Sequence, residues 1–221
     1  MNFTKTHENI IIILVIIASF IFWNSLVLFP VKLIAVVFHE MTHVITALIT
    51  GGAVEAVTIS PDLGGVTTVK NANEIPILAA GYPGSMILGI ILYLSLKKDR
   101  LTPYLMGFLS LLYTLFPLFF IKNQFGIFSS IGIALFFGAL IFLKQKTLLS
   151  ITLKVLSLLC ISYVINDVIY DTFLTSSLYS DAVRLEQLTG MNDYLWGSIW
   201  ILLAAAALTM IIWNMFRLRK R

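Results

Sequence analysis

Seven stretches of mostly apolar residues, at about 10–29, 31–50, 75–96, 102–121, 125–143, 148–170 and 195–216, fill most of this 221-residue chain. A bilayer core ~30 Å thick takes roughly 20 helical residues at ~1.5 Å rise each, so every stretch is long enough to cross it. Pro30 separates the first two, because proline cannot continue the helix that precedes it. If they form one kinked element instead, the count falls to six. Composition agrees: 59% of residues are hydrophobic and 12% charged. Soluble domains are about 45–50% apolar and about 25% charged, and half that charge cannot cover a water-exposed surface. The expected fold class is an all-α polytopic membrane protein of seven, alternatively six, transmembrane helices. The run from Ile10 to Pro30 exceeds the ~7–15 residues of a signal-peptide core and reads as a retained membrane helix.

Basic residues set the expected orientation. With seven spans, Lys32, Lys97, Lys98, Arg100, Lys144, Lys146, Arg217, Arg219, Lys220 and Arg221 fall on one side, and Lys5, Lys70, Lys122 and Arg184 on the other. The positive-inside rule then favours a cytoplasmic C-terminus in the cell membrane. The net charge of +4 arises largely from that terminus and is no nucleic-acid signature, so the bilayer is the expected partner. Cys160 is the only cysteine, which excludes an intrachain disulfide. The whole chain, 1–221, reads as one membrane-embedded domain.

Two connections are long. Within 51–74, Val54 to Ile59 alternates, Pro61-Asp62-Leu63-Gly64-Gly65 turns the chain, and Val66 to Val69 resumes. Period-2 β-branched runs around such a turn predict a β-hairpin after the second helix. Residues 171–194 carry Asp171, Asp181, Glu186 and Asp193 and read as a structured polar loop.

The second stretch contains His39-Glu40-Met41-Thr42-His43, an H-E-x-x-H. Positions i and i+4 share one helix face, so two imidazoles can bind one metal while the glutamate reaches water held on it. The competing interpretation is a polar packing seam, since Thr42, Thr46 and Thr50 continue that face. A seam accounts for the threonines but not for a glutamate between two histidines in an apolar helix, where a charge costs about 2.5–3.5 kcal/mol. Catalytic zinc, the expected cofactor, usually takes three protein ligands and an open position. His7 lies in the N-terminal tail, so the third ligand is sought among membrane carboxylates. Asp167 and Asp171, one turn apart in the sixth stretch, are the candidates, and Asp167 is preferred because it sits deeper. The other role for Asp167 is a hydrogen bond to a tyrosine or lysine of another helix; for Asp171 it is an interfacial helix end. Cys160, in an apolar setting with no free histidine, is expected to pack rather than react.

The order of features resembles the site-2 protease family of intramembrane zinc metallopeptidases. His39 to His43 in a membrane helix is followed by Gly51-Gly52, a hairpin, and then Ala79-Ala80-Gly81-Tyr82-Pro83-Gly84-Ser85 in the next helix. Downstream, Asn166-Asp167-Val168-Ile169-Tyr170-Asp171 and then Ser180-Asp181-Ala182 look like the compact, M-fifty-B-like branch. The resemblance runs from about 35 to 200. It implies zinc held by two histidines and a distal aspartate, a glutamate as general base, and a membrane-protein substrate. Carried over, His39 and His43 are ligands and Glu40 the base. The family's distal aspartate usually sits in an N-P-x-x-x-x-D-G-like stretch, of which this chain has only Asn166-Asp167. The expected function is a zinc-dependent intramembrane endopeptidase. The alternatives are a non-catalytic scaffold with a structural metal, and a metal-ion or small-solute transporter; the latter is disfavoured by the near absence of polar residues in the middle of the fourth and fifth stretches.

Overall fold

The computed structural model describes residues 5–96, 100–143, 145–175 and 180–217. In order they form α1 (Lys5–Ile21), α2 (Phe29–Ile49), β1 (Ala53–Ile59), β2 (Gly65–Lys70), α3 (Glu74–Ser95), α4 (Thr102–Phe119), α5 (Gln124–Phe142), α6 (Lys146–Val168), a π-helical turn (Ile169–Leu174), α7 (Asp181–Thr189) and α8 (Asp193–Arg217). Six of these, α2 to α6 and α8, are long and apolar enough to cross a membrane. The protein is a multi-pass, mostly helical membrane protein with one small antiparallel hairpin. The first apolar stretch departs from expectation. Its helix has 17 residues and ends at Ile21, and the chain then turns until Pro30 opens α2 in its first turn, where its fixed φ and missing N–H fit. Among the described residues six helices reach the length of a membrane span, within the expected seven or six. Several basic residues behind the expected orientation, Lys97, Lys98, Lys144, Arg219, Lys220 and Arg221, lie outside the described residues, as does the side chain of His7.

α2 is the central helix. Its middle, from Leu33 to Val44, is largely buried, and it packs against α3, which also lies along α6. α4 pairs with α5, and α8 covers α6. Gly51, at φ +82°, ends α2 in the left-handed region that glycine adopts without steric cost. Asn73 starts α3 by accepting the Ile75 N–H at 3.1 Å.

The hairpin between them folds back along α2, so that its turn lies beside the middle of that helix. Val57 pairs with Thr67 and Ile59 with Gly65, with a bulge near Glu55. The outer edge of β1 is occupied. Val57 N–H donates to the Phe120 carbonyl at 2.9 Å, and the Val57 carbonyl accepts from Lys122 N–H at 3.0 Å. The Asn123 side chain takes both main-chain groups of Ile59, at 3.0 and 2.6 Å. β2 has no strand on its outer edge among the described residues. The described parts of the 171–194 segment are helical: most of the π-helical turn and all of α7, a helix whose first residue is Asp181, fall within it.

Candidate metal centre

α2 presents His39, Glu40 and His43 on one face. They are 7%, 3% and 4% exposed, so each polar group needs a partner inside the protein. His43 Nδ1 lies 2.7 Å from the Ile77 carbonyl of α3. That carbonyl can only accept, so Nδ1 carries a proton, and Nε2 is the ring nitrogen that faces the cavity. Such an outer hydrogen bond fixes a ligand imidazole's tautomer and orientation. The ring of His39 packs edge-on against Tyr82, centroids 4.7 Å apart. α3 comes this close because residue 81 is glycine: a Cβ there would sit on the rings of both histidines. Gly81→Ala is therefore expected to cost about 1–3 kcal/mol through overpacking and to displace the imidazoles, read as a lower thermal midpoint in detergent.

The third group is not the one expected. Asp181 Oδ2 lies 3.0 Å from His39 Nε2 and 3.2 Å from His43 Nε2. These donor atoms fall within 4.8 Å of one another. Asp167 instead accepts from the Tyr82 hydroxyl at 3.2 Å, with Tyr163 beside Tyr82, the two ring centroids 6.3 Å apart. Bonding to a tyrosine of another helix, the other role weighed for Asp167, is the one observed. Depth along α6 misled because a separate helix, α7, which begins at Asp181, places that carboxylate against the imidazoles. Asp171 lines the same cavity but joins neither histidine. The sequence signal for Asp181 was Ser180-Asp181, a serine at the N-cap position and an acid in the first turn, as a helix start requires.

The arrangement fits a divalent metal. Asp181 Oδ2 and the Nε2 atoms of both histidines converge on one point, where a bound cation would meet two nitrogens and a carboxylate oxygen together. Burial alone would raise the Asp181 carboxyl, but the two imidazoles outweigh it and hold it well below the usual carboxylate range. Two ligands ~2.1 Å from one tetrahedral ion stand roughly 3.4 Å apart, close to the spacing of both histidines from Asp181. Two nitrogens and one carboxylate oxygen also match the ligand preference of zinc.

Glu40 faces the hairpin rather than Asp181. The Thr67 hydroxyl donates to Glu40 Oε2 at 2.6 Å, and Gly65 lies so near the carboxylate that a Cβ would strike it. These groups open on one cavity of about 750 Å³ that also reaches Asp167, Asp171 and Lys32. The Lys32 ammonium donates to the Trp23 carbonyl at 3.2 Å and sits over the Trp23 ring, 4.6 Å from its centroid. Cys160 is fully buried, outside the cavity lining. Thr42, Thr46 and Thr50 hydrogen-bond to carbonyls one turn back in their own helix, as mid-helix threonines do.

A multi-pass bundle that buries two histidines, a glutamate and an aspartate around one cavity defines a membrane protein with a metallopeptidase-like centre. The profile of the family described as Peptidase M50B-like matches residues 12–211, and the chain belongs to that family. No curated protein and no solved structure gives a significant match.

Proposed function

We propose that the protein is a zinc-dependent intramembrane endopeptidase, with His39, His43 and Asp181 holding the metal and Glu40 acting as general base. The observation that carries this reading is the convergence of Asp181 on the two imidazoles, one residue from a buried carboxylate that is not part of the trio. Zinc there would supply Lewis acidity, activating water and polarising a carbonyl. Glu40 takes the proton of the attacking water and returns it to the leaving amine. The hairpin offers the substrate a place: with β1 already bonded on both sides, the outer edge of β2 is left to accept an unwound stretch of a membrane helix as an added strand. The chain acts as a single unit in the cell membrane with its C-terminus cytoplasmic, which a protease-accessibility assay on a C-terminal tag in inside-out vesicles checks.

The test is metal analysis of purified protein alongside cleavage of a reconstituted single-span substrate. Stoichiometric zinc that disappears in a His39→Ala, His43→Ala double variant, together with cleavage that chelators abolish, is the expected result. A parent protein that never cleaves, or a double variant with undiminished zinc, ends the proposal.

α7 is held in place by a second tie. Arg184 donates to Glu74 Oε2, the first residue of α3, at 2.6 Å. Both side chains are more than a third exposed, so the pair is worth about 1 kcal/mol at most. Arg184→Ala is accordingly expected to weaken zinc affinity only about fivefold or less, measured by chelator competition, and the loss should shrink as salt is raised.

A further inference from the structure

The bond between Thr67 and Glu40 joins the hairpin to the base, and the register of the hairpin gives it a further meaning. Val57 directs its N–H and C=O away from β2, toward residues 120–122. In an antiparallel ladder a pair whose one member points outward is the non-hydrogen-bonded kind, and its partner points outward as well. Thr67 is that partner, so its main-chain N–H and C=O lie along the open edge of β2. Ile59 likewise gives its main chain to Asn123, which turns Gly65 outward by the same rule. The side chains of β2 alternate, with Thr67 half-buried and Val66 and Thr68 exposed. Thr67 therefore sends its hydroxyl toward α2 while its backbone faces the place where a strand would add.

We propose that Thr67 is a positioning residue that couples the docking edge to the base: its hydroxyl holds the Glu40 carboxylate while its backbone receives the substrate strand. This rests on the peptidase reading above. The bond does two things. It satisfies a carboxylate that is otherwise buried against α2 and Gly65, where an unpaired charge is costly. It also fixes the distance between the base and the peptide groups of a strand added at Thr67, so that only a bound strand in one register brings its carbonyl within reach of the water Glu40 activates. Orientation of this kind is a large part of enzymatic rate.

Two variants of the full-length reconstituted protein test the idea. Thr67→Val removes the hydroxyl at nearly constant shape, and Thr67→Ser keeps it. With zinc content equal to the parent's, Thr67→Val is expected to lose on the order of 10-fold or more in kcat, as suits a hydrogen bond to a charged group, with KM little changed. Thr67→Ser should recover most of that rate. Parental kcat in Thr67→Val, or a Thr67→Ser protein as slow as Thr67→Val, overturns the proposal while leaving the peptidase reading intact. A second readout needs neither substrate nor metal. Amide hydrogen exchange at 65–70 should rise in Thr67→Val and in Glu40→Ala, and the double variant should rise no further than either. Additive increases would show that the two side chains do not act as a pair, and they decide the matter even if the parent proves inactive.

Discussion

Alanine at Asp181 is expected to strip the protein of its metal, while asparagine at Asp167 leaves stoichiometric metal in place. Asp181 is the carboxylate within 3.2 Å of both imidazoles, and no other His, Cys, Asp or Glu side chain joins that cluster among the described residues. Loss of a residue that merely orients a ligand costs about 10–100-fold in metal affinity, so loss of the ligand itself should exceed ~100-fold. Asp167→Asn keeps the shape of the side chain and an oxygen that can accept from Tyr82. Its cost should fall on packing between α3 and α6, where Tyr82 and Asp167 meet, rather than on the metal. Metal content of the two variants after dialysis, with equilibrium competition against a chelator of known affinity, reads the contrast directly. Zinc retained by Asp181→Ala and lost from Asp167→Asn would reverse the assignment.

Glu40→Gln should give the largest change in rate. The substitution preserves length and can still meet the Thr67 hydroxyl, but an amide cannot take a proton from water near neutral pH. Because the trio of possible ligands excludes Glu40, zinc content is expected to be unchanged. Cleavage of a membrane-helix substrate should fall by at least the ~10²-fold associated with a lost general base. A scaffold with a structural metal would show no activity to lose, and a transporter would show altered ion flux with no proteolysis in the parent. Equal cleavage by parent and variant, with zinc present in both, would remove Glu40 from the mechanism.

Much of the architecture was legible along the chain because a bilayer imposes a length. Apolar stretches expected at 75–96, 125–143 and 195–216 became helices at Glu74–Ser95, Gln124–Phe142 and Asp193–Arg217, since nothing but a helix lets such a segment satisfy its backbone in hydrocarbon. The hairpin was equally visible: alternation from Val54 to Ile59 and from Val66 to Val69 is what a two-faced ribbon needs, and the paired strands are Ala53–Ile59 and Gly65–Lys70. The early end of the first helix has a local cause. Apolar character continues past Ile21, but the helix does not, and Trp23 and Lys32 pack together across the turn that follows. Hydropathy measures what a segment can be buried in, not where its helix stops.

The sequence by itself determined the class of the molecule and half of its candidate site. His39, Glu40 and His43 meet on one face because four residues only slightly exceed a helical turn of ~3.6, a relation that needs no partner element. What only the tertiary structure decided was the rest: that Asp181 rather than Asp167 meets the imidazoles, that Gly81 lets α3 lie against them, and that Thr67 holds Glu40. Each of these depends on elements separated by tens of residues in sequence, brought together by the fold-back of α7 and of the hairpin. The reason is physical. The i, i+4 spacing is a property of the helix, whereas the approach of two elements depends on side-chain packing along their whole interface, which the local pattern does not encode.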